Sequence, residues 1–283
     1  MMHPNALLLS AAIAVTGLVL LIVRFKVSAF IALTITSIFL GLCAGLAPAV
    51  IFKSFQDGLG SVLASISLVI ALGTVLGRIL GETRGAEAIA LWLLKSFGPK
   101  RMVLAFFFIG LVVGLPVFFA VGLVLAAPVL FATAQQKGIP LLRLGLPMVA
   151  GLSAAHGLVP PHPGPLAAID LLHANIGKTL LYSLPVALVA GGVAGPLLLR
   201  WLPAGLLQKS RPSSLNFVTS ESPLPRVTPV LAVILLPIAL IAAGSVAEVA
   251  LPASNPLRPA LLLFGHPISA LLVGIAFAVA ALG

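Results

Sequence analysis

The sequence predicts an all-α polytopic membrane protein, and three observations lead to that prediction. Of the 283 residues, 60% are apolar and only 8% are charged, whereas a soluble domain carries about 25% charged residues. The apolar residues form blocks of about 20, the length of a helix that spans a bilayer. The basic residues stand singly between these blocks, as topology signals do. A disordered chain is excluded as well, because disorder requires low hydrophobicity and high charge.

The composition also limits the kinds of site that the chain can hold. Its single cysteine, Cys43, excludes a disulfide framework and any multi-cysteine metal site. The net charge of +10 would favour nucleic-acid binding in a soluble protein, but basic residues dispersed between membrane segments predict no nucleic-acid partner. There is no nucleophile–base pair, phosphate-binding glycine loop or carboxylate pair, and the histidines match no standard zinc spacing. No enzyme activity, metal or cofactor is expected.

Six apolar blocks are predicted to cross the membrane once each. They are residues 6–23, 27–47, 61–81, 176–199, 227–247 and 261–282. Asp57 is expected in a short outer loop before the third block, where it caps the following helix. No basic residue precedes the first block, and Arg24 and Lys26 follow it, which indicates a spanning helix with an outside N-terminus rather than a signal peptide. With that orientation 13 of the 16 basic residues lie on the cytoplasmic side.

The block at residues 102–134 is predicted to enter the membrane and return to the same side. Basic residues flank both of its ends, Lys100 and Arg101 before it and Lys137 after it. Its 33 residues would form a helix of roughly 50 Å, whereas two crossings of a ~30 Å core need about 60 Å. A re-entrant hairpin with its tip near residues 114–116 satisfies both conditions.

The block at residues 144–175 is predicted to be a discontinuous helix. Residues 159–165 read VPPHPGP, and four prolines in such a run cannot be helical. Non-helical backbone at membrane depth must be buried in protein or line an aqueous cavity. We therefore expect one half-helix through Ser153 and His156, an unwound stretch, and a second half-helix through residues 166–172.

Polar groups at these breaks are the candidates for function. His156 and His162 could donate hydrogen bonds to an anion, exchange a proton, or merely satisfy carbonyls freed by the broken helix. Gly73 and Thr74 lie in the middle of a block, where small residues serve helix packing or ligand contact. The complete set expected to bind substrate is Gly73, Thr74, Pro116, Ser153, His156, Pro161, His162 and Gly164.

Residues 152–165, LSAAHGLVPPHPGP, closely resemble the signature of the gluconate permease family of proton symporters. Further matches follow in the family's order, with FQDGLG at 55–60, ALGTVLG at 71–77, FGPKR at 97–101 and GLPVFF at 114–119. The resemblance implies uptake of gluconate or a related sugar acid with protons, across a bacterial inner membrane. It also implies the ion-transporter superfamily fold, in which two inverted repeats each carry a re-entrant hairpin, and it suggests a homodimer in the lipid bilayer.

Two departures from the family qualify this expectation. Relatives usually carry Asp after the PVFF run, where this chain has Ala120, and an intramembrane carboxylate is a natural proton carrier. Relatives are also longer, so the expected regions are a first transmembrane repeat at 1–202, a cytoplasmic linker at 203–226 and the start of an incomplete second repeat at 227–283. The alternative to a symporter is a truncated, non-transporting remnant or a membrane interaction subunit.

Overall fold

A computed structural model describes residues 4–209 and 223–283, and all regular elements among them are helical. Of the predicted linker, residues 210–222 lie outside the described residues. In the described part, six helices are long and apolar enough to cross a membrane, or up to eight if each of two bent pairs is one span. The prediction of an all-α polytopic membrane protein is confirmed.

The helices divide between two compact units, one up to Ala64 and one from Ser65 onward. In chain order they are α1 Pro4–Val23, α2 Ala29–Cys43, α3 Pro48–Glu82, α4 Gly85–Phe97, α5 Met102–Gly114, α6 Phe119–Lys137, α7 Leu141–Leu158, α8 Pro163–Leu171, α9 Ile176–Gly192, α10 Ala204–Lys209, α11 Val227–Ala250, α12 Arg258–Gly265 and α13 Pro267–Leu282.

The first unit contains α1, α2 and the start of α3. Helix α1 packs against α2, and Ile51 of α3 packs on Gly41 of α2, where a Cβ would lie 2.8 Å from the isoleucine side chain. Leu8 is 71% exposed and Val23 is 66% exposed. Such apolar surfaces suit helices that face lipid, because lipid tails solvate them as the protein interior would.

Three predictions about the apolar blocks are wrong in detail. The block at residues 27–47, predicted to cross the membrane, forms only the 15-residue helix α2, which is too short to count among the spanning helices. The predicted loop at Asp57 is helical, because α3 begins at Pro48 and continues for 35 residues. Proline suits the first turn of a helix, and extending a helix costs far less than nucleating one. The last block is not one straight span, since its two helices, α12 and α13, meet at 76°. Pro267 cannot continue the hydrogen bonding of α12, and Nδ1 of His266 accepts the Ile268 N–H, at 3.4 Å, to start α13.

Helix α5 is enclosed within the second unit. It is apolar on every side, and nine of its 13 residues are buried, which is typical of a helix surrounded by protein. Its 13 residues reach only about 20 Å, less than the ~30 Å thickness of a hydrocarbon core. Helix α4 leads into it at an angle of 106° through Gly98, whose φ of +68° suits glycine.

Helices α5 and α7 run parallel and touch at their backbones. A Cβ at Gly110 would overlap the carbonyl oxygen of Met148, and one at Gly151 would overlap a carbonyl oxygen of α5. One turn further along both helices, a Cβ at Gly114 would lie 3.0 Å from the Ala155 Cβ. Because the two helices advance in the same direction, α6 must carry the chain back between them. Residues 115–118 form the turn at which the chain reverses.

One order of elements occurs twice among the described residues: a long helix, a short helix, a sharp bend and a further helix. Helices α3, α4 and α5 form the first series, with a bend of 106°, and α11, α12 and α13 form the second, with a bend of 76°. In the second series, Gly244 of α11 contacts Gly265 of α12 so closely that a Cβ at Gly244 would lie 2.8 Å from the Gly265 Cα. The recurrence is compatible with repeats, whose boundaries remain a prediction.

We predict that Asn175→Ala lowers the free energy of unfolding by about 1 kcal/mol, the usual contribution of such a cap. Asn175 Oδ1 accepts the backbone N–H groups of Gly177 and Lys178, at 3.1 and 2.9 Å, and Nδ2 donates to Glu248 at 2.6 Å. The measurement is thermal unfolding in detergent, with the exposed neighbour changed in Lys178→Ala as the control. Equal stability of the two variants would contradict the capping role.

Candidate functional site

The turn at residues 115–118 and the break at residues 159–162 lie side by side in the second unit. The Phe118 ring centroid is 5.8 Å from that of His156 and 6.1 Å from that of His162, and the two histidine rings are 4.7 Å apart. Gly73 of α3 approaches the same turn, since a Cβ there would lie 3.5 Å from the Phe118 ring and 4.0 Å from the Pro116 carbonyl oxygen. Four of the predicted residues, Gly73, Pro116, His156 and His162, are thus brought together.

The break between α7 and α8 follows from its prolines. The Val159 N–H still donates to the Ala155 carbonyl at 3.0 Å, but the next two residues have no N–H to continue the helix. The peptide bond between Pro160 and Pro161 is cis. The chain enters α8 at Pro163, and a proline in the first turn loses no hydrogen bond there. Pro161 is buried within the break.

His162 forms a hydrogen bond that connects the break to α5. Its side chain is buried, and Nε2 lies 2.8 Å from the carbonyl oxygen of Gly114. Because a carbonyl only accepts, the Nε2–H donates, and in the neutral ring Nδ1 holds the lone pair. Gly114 ends α5, and the last carbonyls of a helix have no partner within it. His162 therefore ties the break to the end of α5.

His156 is placed differently. It lies in the last turn of α7 and is partly exposed, and its Nδ1 is buried without a hydrogen-bond partner among the described residues. A buried polar nitrogen without a partner is costly, and such groups are concentrated where a protein has a use for them. Of the two histidines, His156 is the one that is free to bind a ligand or to exchange a proton.

Two helix N-termini meet at this pair of histidines. Phe118 immediately precedes α6 and His162 immediately precedes α8, so their ring contact brings the two helix starts together. In α8 the first turn contains two prolines, and the Leu166 N–H donates to the His162 carbonyl at 3.0 Å. Among the described residues the Gly164 N–H has no such backbone partner, and a Cβ on Gly164 would meet nothing within 4 Å. Helix N-termini attract anions.

The remaining predicted residues lie outside the ring cluster. Thr74 is exposed, and its Oγ1 donates to the Ile70 carbonyl of its own helix at 2.7 Å. Ser153 is exposed one turn before His156, on the same side of α7. Two members of the cluster were missed as site residues. The PVFF run could have identified Phe118, but no sequence signal identifies the Gly114 carbonyl.

Two other kinds of site can be set aside in the described part of the chain. No group of three His, Cys, Asp or Glu residues there could hold a metal ion. A groove of about 770 Å³ in the first unit, lined by residues such as Leu7, Phe30 and Ile51, has no titratable side chain in its lining. Its lining therefore offers no side chain that could carry a proton.

Comparison with known proteins identifies the family. The profile of the GntP family permeases matches residues 6–283. The gluconate permease of Pseudomonas aeruginosa is 42% identical, over 100% of this chain and 64% of its own length. The Gnt-II system L-idonate transporter of Escherichia coli (strain K12) is 36% identical, over 98% of this chain and 63% of its own. The D-serine transporter DsdX of the same strain is 34% identical, over 96% of this chain and 61% of its own.

The chain thus spans somewhat less than two thirds of the length of these relatives. No solved structure matches it. The relatives are permeases and transporters rather than enzymes, and the apolar helices make this chain a multi-pass protein of a bacterial inner membrane. The predicted family is confirmed by a match that covers nearly the whole sequence: the chain belongs to the GntP family of permeases.

Proposed function

We propose that this permease imports gluconate or a related small organic acid anion together with protons. The observation that carries the proposal is the meeting of two helix N-termini at His156, whose Nδ1 has no partner among the described residues. The names of the relatives support the substrate class, because two of them refer to sugar acids, gluconate and idonate. D-serine, in the name of a third relative, also carries a carboxylate.

In this proposal the substrate carboxylate binds at the start of α8. The Gly164 N–H is available there and the space beside it is open, and the N-terminal ends of α6 and α8 add positive potential. The exposed Ser153 hydroxyl lies one turn from His156 and offers a hydrogen bond to a substrate hydroxyl group. His162 takes no direct part, because its Nε2–H is used to hold the Gly114 carbonyl.

His156 provides the proposed coupling between proton and substrate. A neutral imidazole that gains a proton becomes a cation, and a cation beside the bound carboxylate strengthens anion binding. By linkage, the anion strengthens proton binding to the same degree. Proton and anion therefore bind preferentially together, which is the thermodynamic requirement for symport.

Ala120 favours a second candidate, a family member that retains the fold but does not transport. It is the second residue of α6 and is exposed close to the ring cluster, at the position where the resemblance leads us to expect Asp. With alanine there, the first proposal assigns the proton to His156. In the second proposal no group carries it.

The membrane arrangement belongs to the same proposal. We place the turn at residues 115–118 at the tip of a re-entrant hairpin, because α5 is too short to span the core and the chain reverses after it. We also propose the inverted repeats, with boundaries at 1–202 and from 227, and a homodimer. In inverted-repeat transporters the repeats surround one site, whose access alternates between the two sides of the membrane.

The test is uptake of labelled gluconate into vesicles that contain the protein, driven by an inward proton gradient. We expect accumulation that collapses with a protonophore and is reduced more by unlabelled idonate than by D-serine. Gluconate binding without accumulation would instead support the non-transporting alternative. Absence of both binding and uptake of gluconate would refute the proposed substrate class.

A further inference from the structure

Four basic side chains converge at the ends of α5 and α7 that lie away from the histidines. Lys100 and Arg101 precede α5, Arg143 lies in the first turn of α7, and Arg200 ends the segment that follows α9. Together they line a cavity of about 440 Å³ that has no acidic residue in its lining. Among the described residues, none of the four forms an ion pair.

An apolar groove of about 320 Å³ continues from this cavity. It is lined by side chains of α5 and by the end of α9, among them Phe107, Phe108 and Leu188. The cavity and the groove share Leu104, Pro196 and Arg200 in their linings. A cationic cavity that opens directly into an apolar groove is complementary to an amphiphile with an anionic head.

The position of the cavity matches the level of lipid headgroups. Trp201, which follows Arg200, is 70% exposed, and tryptophan is enriched where the membrane meets water. The positive-inside rule assigns all four basic residues to the cytoplasmic side. Topology alone explains the side on which these charges lie, but it requires neither their convergence from three segments nor a groove beside them.

We propose that the cavity and groove bind an anionic phospholipid of the cytoplasmic leaflet. The phosphate would accept hydrogen bonds from Arg143 and Arg200, because the guanidinium fork matches phosphate oxygens, and an acyl chain would occupy the groove. The bound anion would also relieve the repulsion among four cations that have no described counter-ion. Basic pockets between helices on the cytoplasmic side are suited to such headgroups.

The test measures binding of phosphatidylglycerol and of phosphatidylcholine to the detergent-purified protein by native mass spectrometry. The double variant Lys100→Gln/Arg200→Gln removes two charges of the cavity, and its matched control, Arg24→Gln/Lys137→Gln, removes the same two residue types elsewhere. We expect the unchanged protein to prefer phosphatidylglycerol, the cavity variant to bind it about thirtyfold more weakly, and the control to bind it normally.

A third variant tests the groove without changing charge. Gly192 lines the groove, and a Cβ there would meet nothing within 4 Å, so Gly192→Leu should fill the groove, keep the fold and weaken phosphatidylglycerol binding. Inorganic phosphate at the same concentration should not displace the lipid. Any one of four results would overturn the proposal. The cavity variant and its control could lose phosphatidylglycerol binding equally, or the unchanged protein could bind phosphatidylcholine as well as phosphatidylglycerol. Phosphate could displace the lipid, or Gly192→Leu could bind phosphatidylglycerol normally.

Discussion

His156→Ala is expected to reduce proton-driven gluconate uptake to the level of protein-free vesicles and to lower the stability of the protein less than His162→Ala does. The side chain lost is the one whose Nδ1 has no partner among the described residues, so its removal breaks no hydrogen bond there. In the proposed mechanism it is also the group that carries the proton. Uptake at several external pH values and thermal unfolding in detergent provide the two readouts.

The neighbouring histidine serves as the contrast. His162→Ala leaves the Gly114 carbonyl without its donor, and an unpaired buried acceptor costs about 1–3 kcal/mol, so this variant should lose stability as well as uptake. His173→Asn is the matched control, since His173 is exposed and has a φ of +49°, which asparagine tolerates. Normal uptake by His156→Ala, or a loss of stability equal to that of His162→Ala, would show that the roles are assigned wrongly.

Gly110→Ala is expected to destabilise the protein by about 3 kcal/mol or more, at the upper end of the cost of overpacking. The added Cβ would overlap the Met148 carbonyl oxygen, and a backbone atom cannot move aside as the end of a side chain can. Helix α5 would have to separate from α7, taking with it the turn that contacts His156 and His162. Thermal unfolding and the elution profile of the detergent-solubilised protein measure the effect.

The control for this prediction lies on the facing helix. At Gly145 of α7 a Cβ would lie 3.5 Å from the Leu130 side chain, an ordinary contact distance, so Gly145→Ala should unfold at about the temperature of the unchanged protein. If Gly110→Ala unfolds at the same temperature as Gly145→Ala, the backbones of α5 and α7 are not in the close contact described above.

Much of the fold could be predicted from the chemistry of individual residues. The four prolines of the run 159–165 remove the N–H groups that a helix needs, and the basic residues at both ends of the block 102–134 require the chain to return to the same side. Both interruptions therefore follow without knowledge of any neighbour. The same local reasoning failed at Asp57, because an adjoining helix extended through a segment whose glycines and polar residues indicated a loop. Continuation of an existing helix depends on the elements beside it as well as on the residues within it.

The candidate site was less predictable. The sequence indicated both His156 and His162 as candidates, since both lie in or beside the same unwound stretch. Only the fold places the Gly114 carbonyl, 48 residues away in the chain, at 2.8 Å from His162 and leaves His156 Nδ1 without a partner in the described part of the chain. The role of Phe118 as the contact between two helix starts likewise depends on how α6 and α8 meet.

The sequence by itself thus determined the membrane class, the family and the positions of two breaks, at residues 114–116 and 159–165, because each follows from composition or from a contiguous run of residues. Three features were decided by the tertiary structure alone. Helices α5 and α7 run parallel in backbone contact at Gly110, only His162 of the two histidines has a described hydrogen-bond partner, and four dispersed basic residues line one cavity. The physical reason is that these features are distances between residues far apart in the chain. Such distances are set by packing, in which every helix constrains its neighbours, and no local pattern of side chains encodes them.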